Sequence, residues 1–225
     1  MNDTLVAFAS DLEMVSLFPE YSEQVNYGEI YNGEAFDVGA FGVGLLNFST
    51  NFSFALSKNP TRYKQVFMVG ICGAYLNRDL AVGDVVRVDR EIIGDMGVQN
   101  KDKSFTPWSK IRKGDLVCFK SPDPWNLPLS IAILRSVISL SVNCCAGSNV
   151  LSLLRSKMFE ADIETMEGAA AFAVCEKYGI KCFEFRAVSN MVADRDPSQW
   201  KIQEALKALK ETVLLPDFFH RHPDC

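Results

Sequence analysis

Residues 164–175 read ETMEGAAAFAVC, which looks like the entry to a tightly packed helix with small residues suited to close backbone contact. Glu167 is the exception in that run, and two chemistries suit a carboxylate there. At a helix N-terminus it complements the macrodipole. As an acceptor of two hydrogen bonds side by side it suits a vicinal diol, such as the 2′ and 3′ hydroxyls of a ribose. The residues alone leave both readings open. Two more acids, Asp11 and Glu13, stand in SDLE directly after an apolar run. Asn190 closes FRAVSN, with Arg186 inside it.

What the chain lacks narrows the chemistry. Its two histidines, His220 and His222, both fall in the C-terminal tail. A Ser-His-Asp or Cys-His arrangement and a multi-imidazole zinc site are therefore not expected, and no metal or organic cofactor is implied. Catalysis must come from carboxylates, amides and backbone groups. The net charge is −5, against a nucleic-acid surface, which needs clustered cations. The nearest approach to a cluster, Lys101 to Lys103 with Lys110 to Lys113, reads as solvated surface. Of seven cysteines none falls in CxxC spacing. Cys72, Cys175 and Cys182 lie in apolar stretches and act as small hydrophobes, which fits a reducing cytoplasm. Cys144 and Cys145 have no basic neighbour in sequence to lower a thiol pKa. No apolar run is long enough to span a membrane, and the N-terminus does not read as a secretory signal.

The elements that must position these residues alternate. Strands are expected over 5–9, 36–41, 65–69, 84–93, 139–145, 162–165 and 181–189. Helices are expected over 45–57, 149–158 and 166–178. A last helix starts at Pro197 and Ser198, with Ile202, Ala205, Leu206, Leu209 and Val213 at helical spacing. Residues 95–128, broken by four prolines, read as loop. The pattern predicts one α/β domain over 1–225 with a mostly parallel central sheet, whose ligands bind just beyond strand ends. Gly42 and Gly44 after the second strand, and Cys72 and Gly73 in GICGAY after the third, are places where backbone can approach a ligand.

TMEGAAAFAVC, followed about twenty residues later by FRAVSN, resembles the paired motif of the nucleosidase and nucleoside phosphorylase family. LVAFASDLE, GVGLLN, VGICGAY and VGDVV precede it in the family's order. The resemblance implies a single α/β domain with a twisted, partly closed mixed sheet flanked by helices. It implies that Glu167 grips the ribose diol, Met166 packs on the sugar, Arg186 supports the site and Asn190 faces the purine. Glu13 matches the acid that activates water in the family's nucleosidases, whereas its phosphorylases place arginines on that loop and before the GDVV strand, where this chain has Gly83. Hydrolysis is therefore expected over phosphorolysis, with Glu13, Asn190 and Arg186 as the catalytic set.

The base follows from Asn190. An aspartate there suits adenine, because it can accept from the 6-amino group and hand a proton to N7. An asparagine suits a 6-oxopurine, since its amide donates to the carbonyl. SNMVADRDPSQW and EIIGDMGV together resemble the futalosine hydrolase branch, which implies release of hypoxanthine in the alternative menaquinone route. Aminofutalosine and methylthioadenosine nucleosidases are the nearest rivals, and a purine-nucleoside binding protein without catalysis is the alternative of another class. In SVNCCAGS, Asn143 is expected to line the site, and Phe105, Trp108 and Arg112 are candidates for the 5′ substituent. The family's habit implies a homodimer.

Overall fold

Alternate residues of Thr4–Phe8 (β1) pack on opposite faces of a sheet: Leu5 and Ala7 into one core, Val6 and Phe8 into another. A strand covered on both sides must be apolar throughout, which is why this run shows no alternation. In the computed structural model, residues 2–22, 25–113 and 117–214 are described. His220, His222 and Cys225 lie outside them.

The strands that follow are Tyr31–Asn32 (β2), Asp37–Ala40 (β3), Gln65–Tyr75 (β4), Val85–Ile93 (β5), Gly97–Gln99 (β6), Phe105–Pro107 (β7), Cys118–Lys120 (β8), Ser136–Ser141 (β9), Ile163–Thr165 (β10) and Lys181–Val192 (β11). The α-helices are Asp11–Leu17 (α1), Leu45–Ser57 (α2), Trp108–Ile111 (α3), Leu129–Ala132 (α4), Asn149–Phe159 (α5), Gly168–Tyr178 (α6) and Ile202–Leu209 (α7). Helices α2 and α6 cover one face, with Phe48, Phe52 and Ala171 buried against Val66 and Met68. Helices α1, α4 and α7 cover the other, with Met14, Ile131, Leu206 and Leu209 against Phe67 and Phe185.

The sheet is mixed. Pairs β1–β3, β1–β4, β4–β11, β5–β9 and β9–β10 are parallel, while β2–β3, β4–β10, β5–β8 and β5–β11 are antiparallel. The longest pairings, β4–β11 and β5–β9, are parallel, as the alternating pattern predicted, and the antiparallel contacts are shorter. Strands β4, β11, β5, β9 and β10 pair in a ring that the β10–β4 contact closes. The fold is the partly closed mixed sheet that the family resemblance implied.

Several boundaries move, each with consequences for the site. Strand β4 does not stop at Val69 but continues through GICGAY to Tyr75, because β11 pairs with it along that whole length. Strand β11 likewise runs past Ser189 to Val192, with an irregularity between Val188 and Asn190. Strand β9 ends at Ser141, leaving Asn143, Cys144 and Cys145 beyond it. Helix α6 begins at Gly168 rather than Met166. The stretch read as loop over 95–128 contains the β6–β7 hairpin, α3 and β8. No helix among the described residues is long and apolar enough to cross a membrane, and the six described cysteines are free.

Candidate active site

Strand β4 changes partner halfway along one edge. Its first residues, through Met68, pair with β1, and at Gly73 and Ala74 it meets β10. The break between them is where a cavity of about 600 Å³ reaches the sheet. Glu13, Cys72, Gly73, Met166, Glu167 and Asn190 all line this cavity. Residues 177 positions apart in sequence thus share one hollow.

Glu13 is 6% exposed. It is the third residue of α1 and completes a capping box: Glu13 N–H donates to Ser10 Oγ, and Glu13 Oε2 accepts from Ser10 N–H at 3.0 Å. The motif S-x-x-E was present in SDLE. Ser10 Oγ also lies 2.8 Å from Glu13 Oε2. Oε1 accepts from Ile71 N–H at 3.1 Å, inside the break in β4. Capping is thus a structural role that this acid fills in addition to any chemical one. With about four acceptor positions on a carboxylate, one on Oε1 remains for a donor in the cavity.

Glu167 occupies the N-cap position of α6, yet its side chain does not cap that helix. Ser141 Oγ takes Ala169 N–H instead, at 2.8 Å, and Glu167 Oε1 accepts from Gly44 N–H at 2.9 Å. Gly44 has φ +89°, a backbone conformation that favours glycine, so the glycine turn after β3 serves to deliver this donor. Glu167 therefore stands at the helix N-terminus without capping it, buried rather than partly exposed, and lines the cavity. Burial pushes its pKa up to about 7, although Arg186 and the Gly44 N–H pull the other way.

Arg186 lies behind these acids and is 1% exposed. Nε donates to Glu184 Oε1 at 2.7 Å and Nη1 to Ile71 O at 3.3 Å. The charges of Glu184, Glu167 and Glu13 hold its guanidinium charged despite burial. The approach requires Gly70: a Cβ there would sit 2.5 Å from Arg186 Nη1 and 2.7 Å from Glu13 Oε1. Below lies a second layer that the sequence reading missed. Glu91 accepts from Ser141 Oγ and Thr165 Oγ1, and burial followed by the Glu184 charge pushes its carboxyl well above the usual range. A Cβ at Gly168 would collide with Glu91 and Glu184. The glycine opening ETMEGAAA thus makes room for two acids under the helix.

Asn190 Oδ1 accepts from Ser189 Oγ at 2.8 Å and Nδ2 donates to Met191 O at 3.2 Å. Its second amide hydrogen remains to serve a ligand. Cys72 and Cys145 line the cavity; burial pushes the Cys72 thiol up to about 12, and partial desolvation with the Glu164 charge pushes that of the more exposed Cys145 up to about 11. Neither is a thiolate at neutral pH. Arg155, whose Nη1 donates to Cys144 O at 2.8 Å, is a basic neighbour of the pair that local sequence did not show.

Not every candidate joins the site. Asn143 stays outside the cavity lining and is exposed, its N–H donating to Asp95 Oδ2 at 2.6 Å. The reason is the early end of β9. Asp11, Phe105, Trp108 and Arg112 do not line the cavity either; Trp200, which closes SNMVADRDPSQW, does, and so does Glu164, which was not singled out. Nothing in DIET set Glu164 apart, since Asp162 is a second acid in the same short run.

Residues 147–214 match the Phosphorylase superfamily. The chain is 26% identical to a futalosine hydrolase of Thermus thermophilus over 76% of each chain. It is 30% identical to one from Streptomyces coelicolor, over 71% of this chain and 66% of that relative. Among solved structures, its fold is shared by a Helicobacter pylori methylthioadenosine nucleosidase variant crystallised with 5′-methylthioadenosine in its active site. That match has a TM-score of 0.70 at 17% identity, covering 94% of this chain and 97% of the other.

Proposed function

This chain belongs to the phosphorylase superfamily, and from that premise we propose that it is a nucleosidase that hydrolyses futalosine to hypoxanthine and dehypoxanthine futalosine, a step towards menaquinone. The observation that carries the proposal is the convergence of Glu13, Glu167 and Asn190 on one nucleoside-sized cavity.

In the reaction the bond from the sugar C1′ to purine N9 breaks and its electron pair leaves with the base. The sugar takes on oxocarbenium character. Glu167, ionised, accepts the 2′ and 3′ hydroxyls and faces that charge. Glu13 orients a water through the free position on Oε1, and takes its proton as the oxygen adds to C1′. Asn190 cannot give up a proton, but its amide N–H donates to the 6-oxo group, where the negative charge of the departing base spreads. The purine anion takes a proton from water as it leaves, and Glu13 gives up the one it took, so that neutral hypoxanthine and free sugar result. Arg186 positions both acids without touching the reacting atoms. Met166 packs on the sugar, and Cys72 and Gly73 form the backbone floor under the nucleoside.

Water rather than phosphate as nucleophile is supported by the charges. Arg195 is the one Lys or Arg among the described residues lining the cavity, beside Glu13, Glu164, Glu167, Asp194 and Asp196. Its backbone N–H donates to Gly147 O. A phosphate dianion entering beside Glu13 would meet like charge.

The 6-oxopurine as base is supported by Asn190 and by the similarity to the two futalosine hydrolases. A homodimer is part of the proposal: Leu46 and Phe54 on α2, and Val150 and Leu154 on α5, are more than half exposed, an apolar surface that association would cover.

Product analysis tests the reading. Futalosine, its 6-amino analogue and methylthioadenosine are each incubated with the purified protein, with and without phosphate. Free sugar and hypoxanthine from futalosine in phosphate-free buffer is the expected result. Turnover that requires phosphate, or that prefers methylthioadenosine, sinks it.

A further inference from the structure

The cavity holds a carboxylate that bond cleavage does not use. Glu164, on β10, is 5% exposed and lines the cavity beside Cys145, Ala146 and Val192. Gly73 on β4 is the register partner of two residues at once: Glu164 on β10 and Asn190 on β11. Directly paired residues in a sheet turn their side chains to the same face. Glu164 and Asn190 therefore stand on either side of a residue with no side chain. Strand spacing sets their Cα atoms roughly 10 Å apart, a gap suited to the edge of a flat ring. A Cβ at Gly73 would meet Val192 Cγ2 at 2.6 Å and Asn190 Nδ2 at 3.2 Å, so glycine keeps the gap open.

The hydrogen bonds of Glu164 leave one acceptor position over. Oε2 accepts from Tyr75 Oη at 2.9 Å and from Arg155 Nη1 at 2.8 Å. Oε1 accepts from Ala146 N–H at 2.8 Å. These three donors, from β4, α5 and the segment after β9, fix the carboxylate in one orientation. Of about four acceptor positions, the remaining one is on Oε1.

We propose that Glu164 is a specificity-determining residue, accepting the N1–H of a 6-oxopurine at Oε1 while Asn190 donates to the base at the opposite side of the gap. The inference rests on the nucleosidase reading above and names what selects the base within it. A 6-oxopurine carries a hydrogen on N1. A 6-aminopurine has a bare lone pair there, which meets the carboxylate oxygen without a proton between them. A buried mismatch of this kind discriminates strongly. The two residues read the same distinction from two edges, so changing one weakens selection without abolishing it.

The test compares kcat/KM for futalosine and its 6-amino analogue in the wild type and in Glu164→Gln. A glutamine amide can donate to the bare N1 of the analogue. The preference for the 6-oxo substrate is expected to fall at least tenfold. If Glu164 serves only to hold Ala146, both substrates suffer equally; an unchanged ratio overturns the proposal. Should the variant not fold, the wild type decides by product inhibition. Hypoxanthine is expected to inhibit at least tenfold more tightly than 1-methylhypoxanthine, which lacks the N1 hydrogen, and equal inhibition overturns the proposal. Cleavage of futalosine with an unchanged ratio removes Glu164 alone. Failure of the wild type to cleave any 6-oxopurine nucleoside removes the nucleosidase reading and this inference with it.

Discussion

Glu13 Oε1 accepts the backbone N–H of Ile71 at 3.1 Å, in the break where β4 has left β1 and not yet met β10. The interruption in strand pairing frees backbone groups, and a catalytic candidate takes one of them. Ile71 N–H is held by Glu13 and Ile71 O by Arg186 Nη1, so one residue of β4 registers the acid and the cation against each other.

Glu13→Gln is expected to lower kcat by about 10²-fold or more, on the order of a lost electrostatic contact in a transition state, with KM little changed. Glutamine still serves a capping box, but it has one oxygen for the donors of Ser10 and Ile71. Stability should fall by about 1–3 kcal/mol, the cost of one buried group left unmatched. Denaturant unfolding beside steady-state kinetics separates the two effects. A kcat within a few-fold of wild type would remove Glu13 from the chemistry.

Glu167 binds a diol only when ionised, and burial holds its pKa at about 7. In the free enzyme kcat/KM should therefore drop with falling pH, about tenfold per unit below 7. The stability consequence has the opposite sense. Between the ordinary carboxylate range and about 7 the folded state keeps a proton that the unfolded state has lost, so unfolding free energy falls as pH rises through that window. The loss is on the order of 3 kcal/mol. Glu167→Gln should flatten this dependence and make 2′-deoxy and ribo substrates similar in rate. A pH profile for kcat/KM identical in wild type and variant would contradict this.

Gly70→Ala places a Cβ 2.5 Å from Arg186 Nη1 and 2.7 Å from Glu13 Oε1. Neither neighbour can withdraw freely, since Arg186 is tied to Glu184 and Glu13 to Ser10. Activity should fall at least tenfold, since misplacement of about 1 Å costs rate steeply. Retention of full activity would mean that the Arg186–Glu13 spacing is unimportant.

Asn190→Asp should shift the ratio of kcat/KM toward the 6-amino analogue, because an acid can accept from the amino group and protonate N7. Ser189 Oγ, 2.8 Å from Asn190 Oδ1, remains available to a carboxylate at that position, whereas the bond from Nδ2 to Met191 O is lost. An unchanged ratio in this variant would show that residue 190 does not read the base.

Much of the fold was determined by the chain read in order. Runs apolar enough to be covered on both faces, such as 5–9 and 65–69, gave the buried strands, and the helical spacing of Ile202, Ala205, Leu206 and Leu209 gave α7. These are local properties, set by side-chain period and by which face needs cover. The order of motifs pointed to the family, and with it to a partly closed sheet. Tertiary structure alone decided what each acid does. Glu167 looked like a residue of a helix start, and Glu13 like an acid on the loop after a strand. Glu13 does cap its helix, and Glu167 does not, because Ser141 from β9 reaches α6 first. Nothing in ETMEG announces that serine. The same is true of Asn143, which fell out of the site when β9 ended at Ser141, and of Glu164, which entered it through a pairing with Gly73 some ninety residues away. Local sequence fixes period and caps. Which polar groups meet in a cavity depends on which distant strands exchange hydrogen bonds, and that is a property of the closed ring.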